Sequence, residues 1–136
     1  MVPDPQQQVQ KLMRFMHHAP LAMVETDLRG TLLQVNPKAL QLMMPMAAYL
    51  GLPGDNLLDT LTGFLPAVGQ AVARFDKDSG MIIDQEPYRI EFQMNALPIE
   101  RFFSLTIEKL GAEILLIFFD DVTDFLLKAD QIRQPL

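Results

Sequence analysis

Leu21-Ala-Met-Val-Glu-Thr-Asp-Leu-Arg-Gly-Thr-Leu-Leu-Gln-Val-Asn-Pro37 is the stretch on which the reading of this chain turns. Leu21 to Leu28 reads as a strand, Arg29-Gly30 as a tight turn, and Thr31 to Val35 as the returning strand, which is the spacing of a β-hairpin. Asn36-Pro37 then opens a helix, because asparagine is a good N-cap and proline is favoured at the first helical position. Ala39, Leu40, Leu42 and Met43 continue that helix until Pro45 disturbs it. In this reading Asp27 and Gly30 are turn chemistry and Asn36 is a cap.

Upstream, Pro3, Pro5 and Gln6-Gln7-Gln8 have nothing to bury, so residues 1–8 read as frayed. Val9, Leu12, Met13 and Met16 then fall at helical spacing in a short amphipathic helix that Pro20 ends. Downstream, Pro45, Gly51, Pro53, Gly54 and Gly63 break residues 45–63 into short helices and turns, with Asp55 as a cap for Leu57, Leu58 and Leu61. Phe64 to Phe75 reads as one longer helix. Tyr88, Ile90, Phe92 and Met94 alternate along a strand, Asn95 to Pro98 is a turn, and Phe103, Leu105 and Ile107 alternate along the next strand. Ile114 to Phe119 is apolar throughout and predicts a strand covered on both faces. Asp121 caps a last helix, with Thr123 hydrogen-bonding locally. In that helix Val122, Phe125, Ala129 and Ile132 step by three and four as an a/d seam. Helix, two strands, several helices, three strands and helix is an α+β order with an antiparallel sheet.

The 136 residues predict one domain, and 49% hydrophobic against 21% charged is ordinary globular composition. No cysteine is present, which excludes disulfides, thiolate metal sites and a cysteine nucleophile. The net charge is -6 and the eleven cations are scattered, so no nucleic-acid partner is expected. The longest apolar run free of Pro and Gly, Ile114 to Phe119, is far short of the roughly 20 residues that cross a bilayer. The N-terminal Met-Val-Pro-Asp-Pro has neither a basic nor an apolar signal region, so the protein is expected in the cytoplasm.

With these joints in order, the chain resembles the PAS domain, the sensory module of bacterial signalling proteins. The segments that carry the resemblance are His18 to Asp27, Arg29-Gly30, Val35-Asn-Pro-Lys-Ala-Leu40, Gly54-Asp-Asn-Leu-Leu58, the last two strands, and Asp121-Val-Thr123, together covering residues 15 to 128. The resemblance implies a five-stranded antiparallel sheet with helices on one face, flanked by N-terminal and C-terminal amphipathic helices. It divides the chain into a tail and helix at 1–18, a core at 19–121, and the start of an output helix at 122–136. It implies a pocket between sheet and helices, and an opposite face covered by the N-terminal helix or a second subunit. It also makes Asp121 and Thr123 a joint that passes strain into the output helix. The expected function is a sensory and dimerisation domain, not itself an enzyme. It would regulate an output of the histidine kinase or diguanylate cyclase type, joined after residue 136 or supplied by a partner. The ending Gln134-Pro-Leu136, just as the seam begins, suggests a domain excised from a longer protein.

Met43, Met46, Leu57, Leu61, Phe92, Phe103 and Phe118 are the candidate pocket residues, suited to a small apolar ligand; the alternative is that they simply fill the core of a ligand-free interaction module. The sequence names no cofactor. The family's haem proteins use a histidine over the pocket, and none lies in residues 37–80; adduct-forming flavin needs a cysteine, and there is none. His17-His18 points two rings about 100° apart and reads as a solvated helix end. Met43-Met44-Pro45-Met46 has thioethers that suit Cu(I) but reads better as a flexible apolar wall. Asp120-Asp121 points to opposite faces, so it is no acid–base pair. The homodimer expected here would use Val9, Leu12, Met13 and Met16 with Val122, Phe125, Ala129 and Ile132. A third class, a small cone-shaped isomerase-like enzyme, needs an ionisable group in an apolar pocket, and Glu25 is the nearest candidate.

Overall fold

The computed structural model describes residues 4–133, with side-chain surroundings described through residue 128. The elements run α1 (Pro5–His17), β1 (Ala22–Thr26), β2 (Leu32–Val35), α2 (Pro37–Tyr49), α3 (Leu57–Phe64), α4 (Pro66–Arg74), β3 (Gly80–Met94), β4 (Leu97–Leu110), β5 (Ile114–Asp121) and α5 (Thr123–Arg133). All five strands form one antiparallel sheet in the order β2-β1-β5-β4-β3. The hairpin and the three later strands therefore share a sheet, joined where Ala22, Val24 and Thr26 face Phe119, Ile117 and Leu115 across β1 and β5.

Strand parity decides what is inside. Ala22 and Val24 of β1, Leu115, Ile117 and Phe119 of β5, Phe103, Leu105 and Ile107 of β4, and Ile90 and Phe92 of β3 point to one face and are buried there. The helical residues Ala39, Met43, Met46, Leu57, Leu61 and Val68 close over them in a single core. Each large apolar side chain buried this way contributes roughly 1.5–3 kcal/mol.

Several local expectations are corrected. Residues 4–8 are not frayed: the Asp4 carboxylate accepts from the Gln6 N–H at 3.1 Å and Pro5 starts α1, so the cap adds a turn that hydropathy does not mark. α2 continues through Pro45 to Tyr49. A proline inside a helix costs roughly 3 kcal/mol. Ending before it would forfeit the burial of Met46 and Ala47, also roughly 3 kcal/mol, together with the stacking of Tyr49 on Phe64 at 5.9 Å. The cap of α3 is Asn56, not Asp55: its Oδ1 accepts from the Asp59 N–H at 2.9 Å, while the Asp55 carbonyl accepts from Leu32 N–H.

The expected Phe64–Phe75 helix is two helices. Pro66 excludes Leu65 from the helical region, and Leu65 sits at φ -133°, ψ 80°. β3 starts at Gly80, well before Tyr88, because irregularities between Met81 and Ile83 and between Ile83 and Glu86 interrupt the alternation that would reveal it. The following turn is only Asn95-Ala96, both at positive φ, so β4 begins at Leu97.

The hairpin turn is strapped to the start of α3. The Asp27 carboxylate accepts from the N–H groups of Arg29 (2.9 Å) and Thr31 (3.0 Å). Asn56 Nδ2 donates to the Arg29 carbonyl at 3.0 Å, and Leu57 N–H donates to the Gly30 carbonyl at 2.9 Å.

Candidate functional site

The inner face is filled. The space between sheet and helices is a cavity of about 10 Å³ lined by Met46, Leu61, Leu65, Tyr88, Ile90, Phe103, Leu105 and Phe119, at the lower limit of what one water molecule occupies. Met46, Leu61 and Phe103 of the expected pocket set meet at this cavity. Met43 and Leu57 are buried elsewhere in the same core. Phe92 packs into an aromatic group with Tyr49 and Phe64, ring centroids 6.1 and 6.0 Å away.

Phe118 is a correction. It pairs with Met23 and Thr106 on the opposite face, while its neighbour Phe119 takes the inner place. A run that is apolar at every position carries no parity, so the choice between the two phenylalanines falls to the strand register. Leu65, Tyr88, Ile90, Leu105 and Phe119 also line the cavity, outside the expected pocket set. The alternation around Tyr88 and Leu105 marks their face, and nothing local marks Leu65 or Phe119.

Tyr88 is half-buried at the rim, and its hydroxyl donates to Glu86 Oε2 at 2.7 Å. Burial first, and the bond to the Glu86 carboxylate second, push its phenol up to about 12 from an ordinary 10. The neutral form is the one the fold favours, so the stabilisation is complete below pH 10 and is lost as pH rises from 10 to 12. Phenolate absorbance is expected to titrate late at Tyr88, and Tyr88→Phe to flatten the loss of melting temperature over that interval. A Tyr88 midpoint at the ordinary value would contradict this.

The opposite, outer face carries a groove of about 190 Å³ lined by Met16, Met23, Val24, Glu25, Gln34, Leu116 and Phe118. Glu25 lies here, half-buried, and not in the inner core. It has no ion-pair partner among the described residues, whose pairs are Arg89 with Glu91 and Glu100, and Arg101 with Asp121. Val9, Leu12 and Met13 of α1 are exposed, and no residue of that helix is buried. Phe15, 82% exposed, joins them although it lies off the seam. Val122, just before α5, is half-buried, and Phe125 of α5 is 71% exposed. The side chains of Ala129 and Ile132 fall outside the described ones.

The joint at the end of β5 is more than a cap. Asp121 Oδ1 accepts from Thr123 N–H at 3.0 Å, and its other oxygen lies 3.7 Å from Arg101. The Thr123 hydroxyl departs from the local bond expected of it and accepts from Phe102 N–H at 2.8 Å. Val122 N–H donates to the Phe102 carbonyl at 2.8 Å. Both backbone groups of one β4 residue thus hold the first turn of α5.

Asn36 likewise exceeds its predicted role. Fully buried, its Oδ1 accepts from Met23 N–H and Ala39 N–H, both at 3.0 Å, and its Nδ2 donates to the carbonyls of Leu21 (2.8 Å) and Met16 (3.3 Å). One side chain fixes α1, β1 and α2 together.

The remaining candidates stay apart. His17 Nδ1 donates to the Met13 carbonyl at 3.0 Å, and both histidines are exposed. Met43 and Met46 point into the core, whereas Met44 lies outside against Gly54, so the three thioethers do not converge. Among the described residues no three His, Asp or Glu side chains gather as metal ligands.

No protein-family model matches the sequence, and no curated protein matches it. Solved structures do. The PAS domain of an HTR-like protein from Haloarcula marismortui superposes with TM-score 0.51 at 14% identity, covering 85% of this chain and 93% of that one. The PAS domain of a protein from Colwellia psychrerythraea gives 0.51 at 11% identity, covering 86% and 98%. An RNA-binding Light-Oxygen-Voltage receptor gives 0.52 at 19% identity, covering 98% of this chain but only 38% of that one. With the strand order, the helices over one sheet face and the Asp121-Val122-Thr123 exit, these likenesses make the fold of this chain that of a PAS domain.

Proposed function

We propose that the chain is a sensory and dimerisation module of the cytoplasm, without catalysis of its own, that controls a signalling output of the histidine kinase or diguanylate cyclase type. The observation that carries this is the joint: Phe102 of β4 bonds through both its backbone groups to Val122 and Thr123. A shift between the ends of β4 and β5 is then transmitted to the direction of α5, and an input that favours one arrangement biases the output as a population shift. No helix among the described residues is long and apolar enough to cross a membrane.

The cavity of about 10 Å³ favours the version in which the input is a conformational or partner signal on a filled core and not a small ligand inside it. Joined in register to a kinase or cyclase output domain, the wild-type segment should hold the output at one level. Thr123→Val, which leaves Phe102 N–H without its acceptor at a cost of roughly 1–3 kcal/mol, should change that level several-fold. Unchanged output in both Thr123→Val and Asp121→Ala would refute the joint. Native mass spectrometry should return the mass of the polypeptide alone, and a retained small molecule would overturn the filled-core version.

A further inference from the structure

The ladder between β3 and β4 decides which way the backbone of β3 faces. Phe102 N–H donates to the Thr123 hydroxyl and the Phe102 carbonyl accepts from Val122 N–H, both on the side away from β3. Arg89 stands opposite Phe102. Residues opposite each other in an antiparallel pair either exchange both backbone bonds or turn both groups away. Arg89 therefore turns its N–H and carbonyl outward, and Glu91 and Gln93 do the same by alternation. Pro98, opposite Gln93, has no N–H to give to β3, as this parity requires. β3 is the last strand of the sheet, and all three residues are exposed. A row of open donors and acceptors is a template for another strand.

The side chains along that row match a copy of themselves turned end to end. Tyr88-Arg-Ile-Glu-Phe92 sets an aromatic, a cation, an aliphatic, an anion and an aromatic about Ile90. We propose that β3 pairs antiparallel with β3 of a second copy of this chain, about a two-fold axis at Ile90. Arg89 then exchanges backbone bonds with Glu91 of the second copy, and the reverse, while each Gln93 N–H reaches the Pro87 carbonyl opposite. Both bonded pairs place opposite charges in cross-strand contact. A centre on Glu91 would oppose two carboxylates, a centre on Arg89 two guanidinium groups, and a centre on Phe92 would run Arg89 into the turn at Asn95. Charges ordinarily protect an edge; here they select one register. In each copy Glu91 and Glu100 share the Arg89 guanidinium, so Glu91 has capacity for a second. Pro87, without an N–H, and the irregularity between Ile83 and Glu86 end the pairing. A contact this short belongs to the weak, transient class, and the two-fold axis closes it as a pair. It uses neither α1, α5 nor the outer groove, so it goes beyond the dimerisation proposed above and can fail without it.

The matched charges supply the test, read by hydrogen exchange on the full chain. The amides of Arg89, Glu91 and Gln93 should exchange fast in dilute solution, and about tenfold more slowly once roughly nine chains in ten are paired. Arg89→Glu opposes carboxylates and Glu91→Arg opposes guanidinium groups, so each alone should weaken the pairing about tenfold. An equal mixture of the two should restore it, because every cross-strand pair in the mixed dimer is again opposite in charge. Gln93→Pro removes an outward N–H with no change of charge. It should weaken the pairing several-fold with an unchanged melt, which covers a charge variant that fails to fold. Exchange at these amides that is independent of concentration, fast or slow, overturns the proposal; so does a mixture that stays unpaired. Equal protection by an added peptide of alternating threonine and valine would make the edge a general strand acceptor and overturn the matched pairing. A dimer in sedimentation whose β3 amides stay fast overturns the edge contact and keeps the dimerisation reading. A monomer at every concentration overturns both.

Discussion

Gly30→Ala is expected to lower stability by about 4 kcal/mol, an effect at the extreme end for a single methyl group. Gly30 has φ +93°, and a Cβ built there would lie 2.5 Å from Leu58 Cβ and 2.6 Å from Asn56 Oδ1. The left-handed backbone costs an alanine roughly 1–2 kcal/mol. Forcing the start of α3 away adds about 1–3 kcal/mol of overpacking strain, and the Asn56–Arg29 and Leu57–Gly30 bonds are lost if it moves. Gly51 is the internal control: its φ is +71°, but nothing lies within 4 Å of the place a methyl group would take. Gly51→Ala should therefore show the backbone cost alone, roughly 1–2 kcal/mol. Urea unfolding of the two variants separates the terms, and equal midpoints would refute the steric account.

Asn36→Ala should cost about 3 kcal/mol. It strands the N–H groups of Ala39, which is buried, and of Met23, which is partly buried; loss of a partner costs a buried donor roughly 1–3 kcal/mol, and the carbonyls of Leu21 and Met16 are freed as well. The melting temperature should fall by about 10 °C for a domain of this size. Asn36→Asp keeps the acceptor but removes both Nδ2 donations and puts a charge where the residue is fully buried, so it should rescue little at neutral pH. Hydrogen exchange should locate the damage where α1, β1 and α2 meet. A loss confined to the first turn of α2, near the 1 kcal/mol of a plain N-cap, would show that the other bonds contribute nothing.

Much of the fold is legible because local rules and global packing agree here. The Asp27–Gly30 turn, Asn36 before Pro37, the alternation of Tyr88, Ile90 and Phe92, and the capping Asp121 each name their structure from a few adjacent residues. The largest departures arise where long-range terms outweigh a local signal. Burial beyond Pro45 carries α2 through a proline. Irregular pairing with β4 extends β3 back to Gly80 through residues with no alternation. Thr123, which is polar and small enough to satisfy itself nearby, bonds to a strand twenty-one positions away.

The candidate site divides along the same line. That Met43, Met46, Leu57, Leu61, Phe92 and Phe103 are core is a matter of side-chain chemistry and period, which the sequence contains by itself, as it does the basic amphipathic character of α1 and the cysteine-free, acidic composition. Whether those side chains leave a space, and whether Phe118 or Phe119 turns inward, depends on how β5 registers against β1 and β4. Register is set by pairing between segments nearly a hundred residues apart, and a one-position slip would exchange the two faces. Only the tertiary structure, by summing such pairings, closes the inner cavity and leaves the outer groove beside a bare helix.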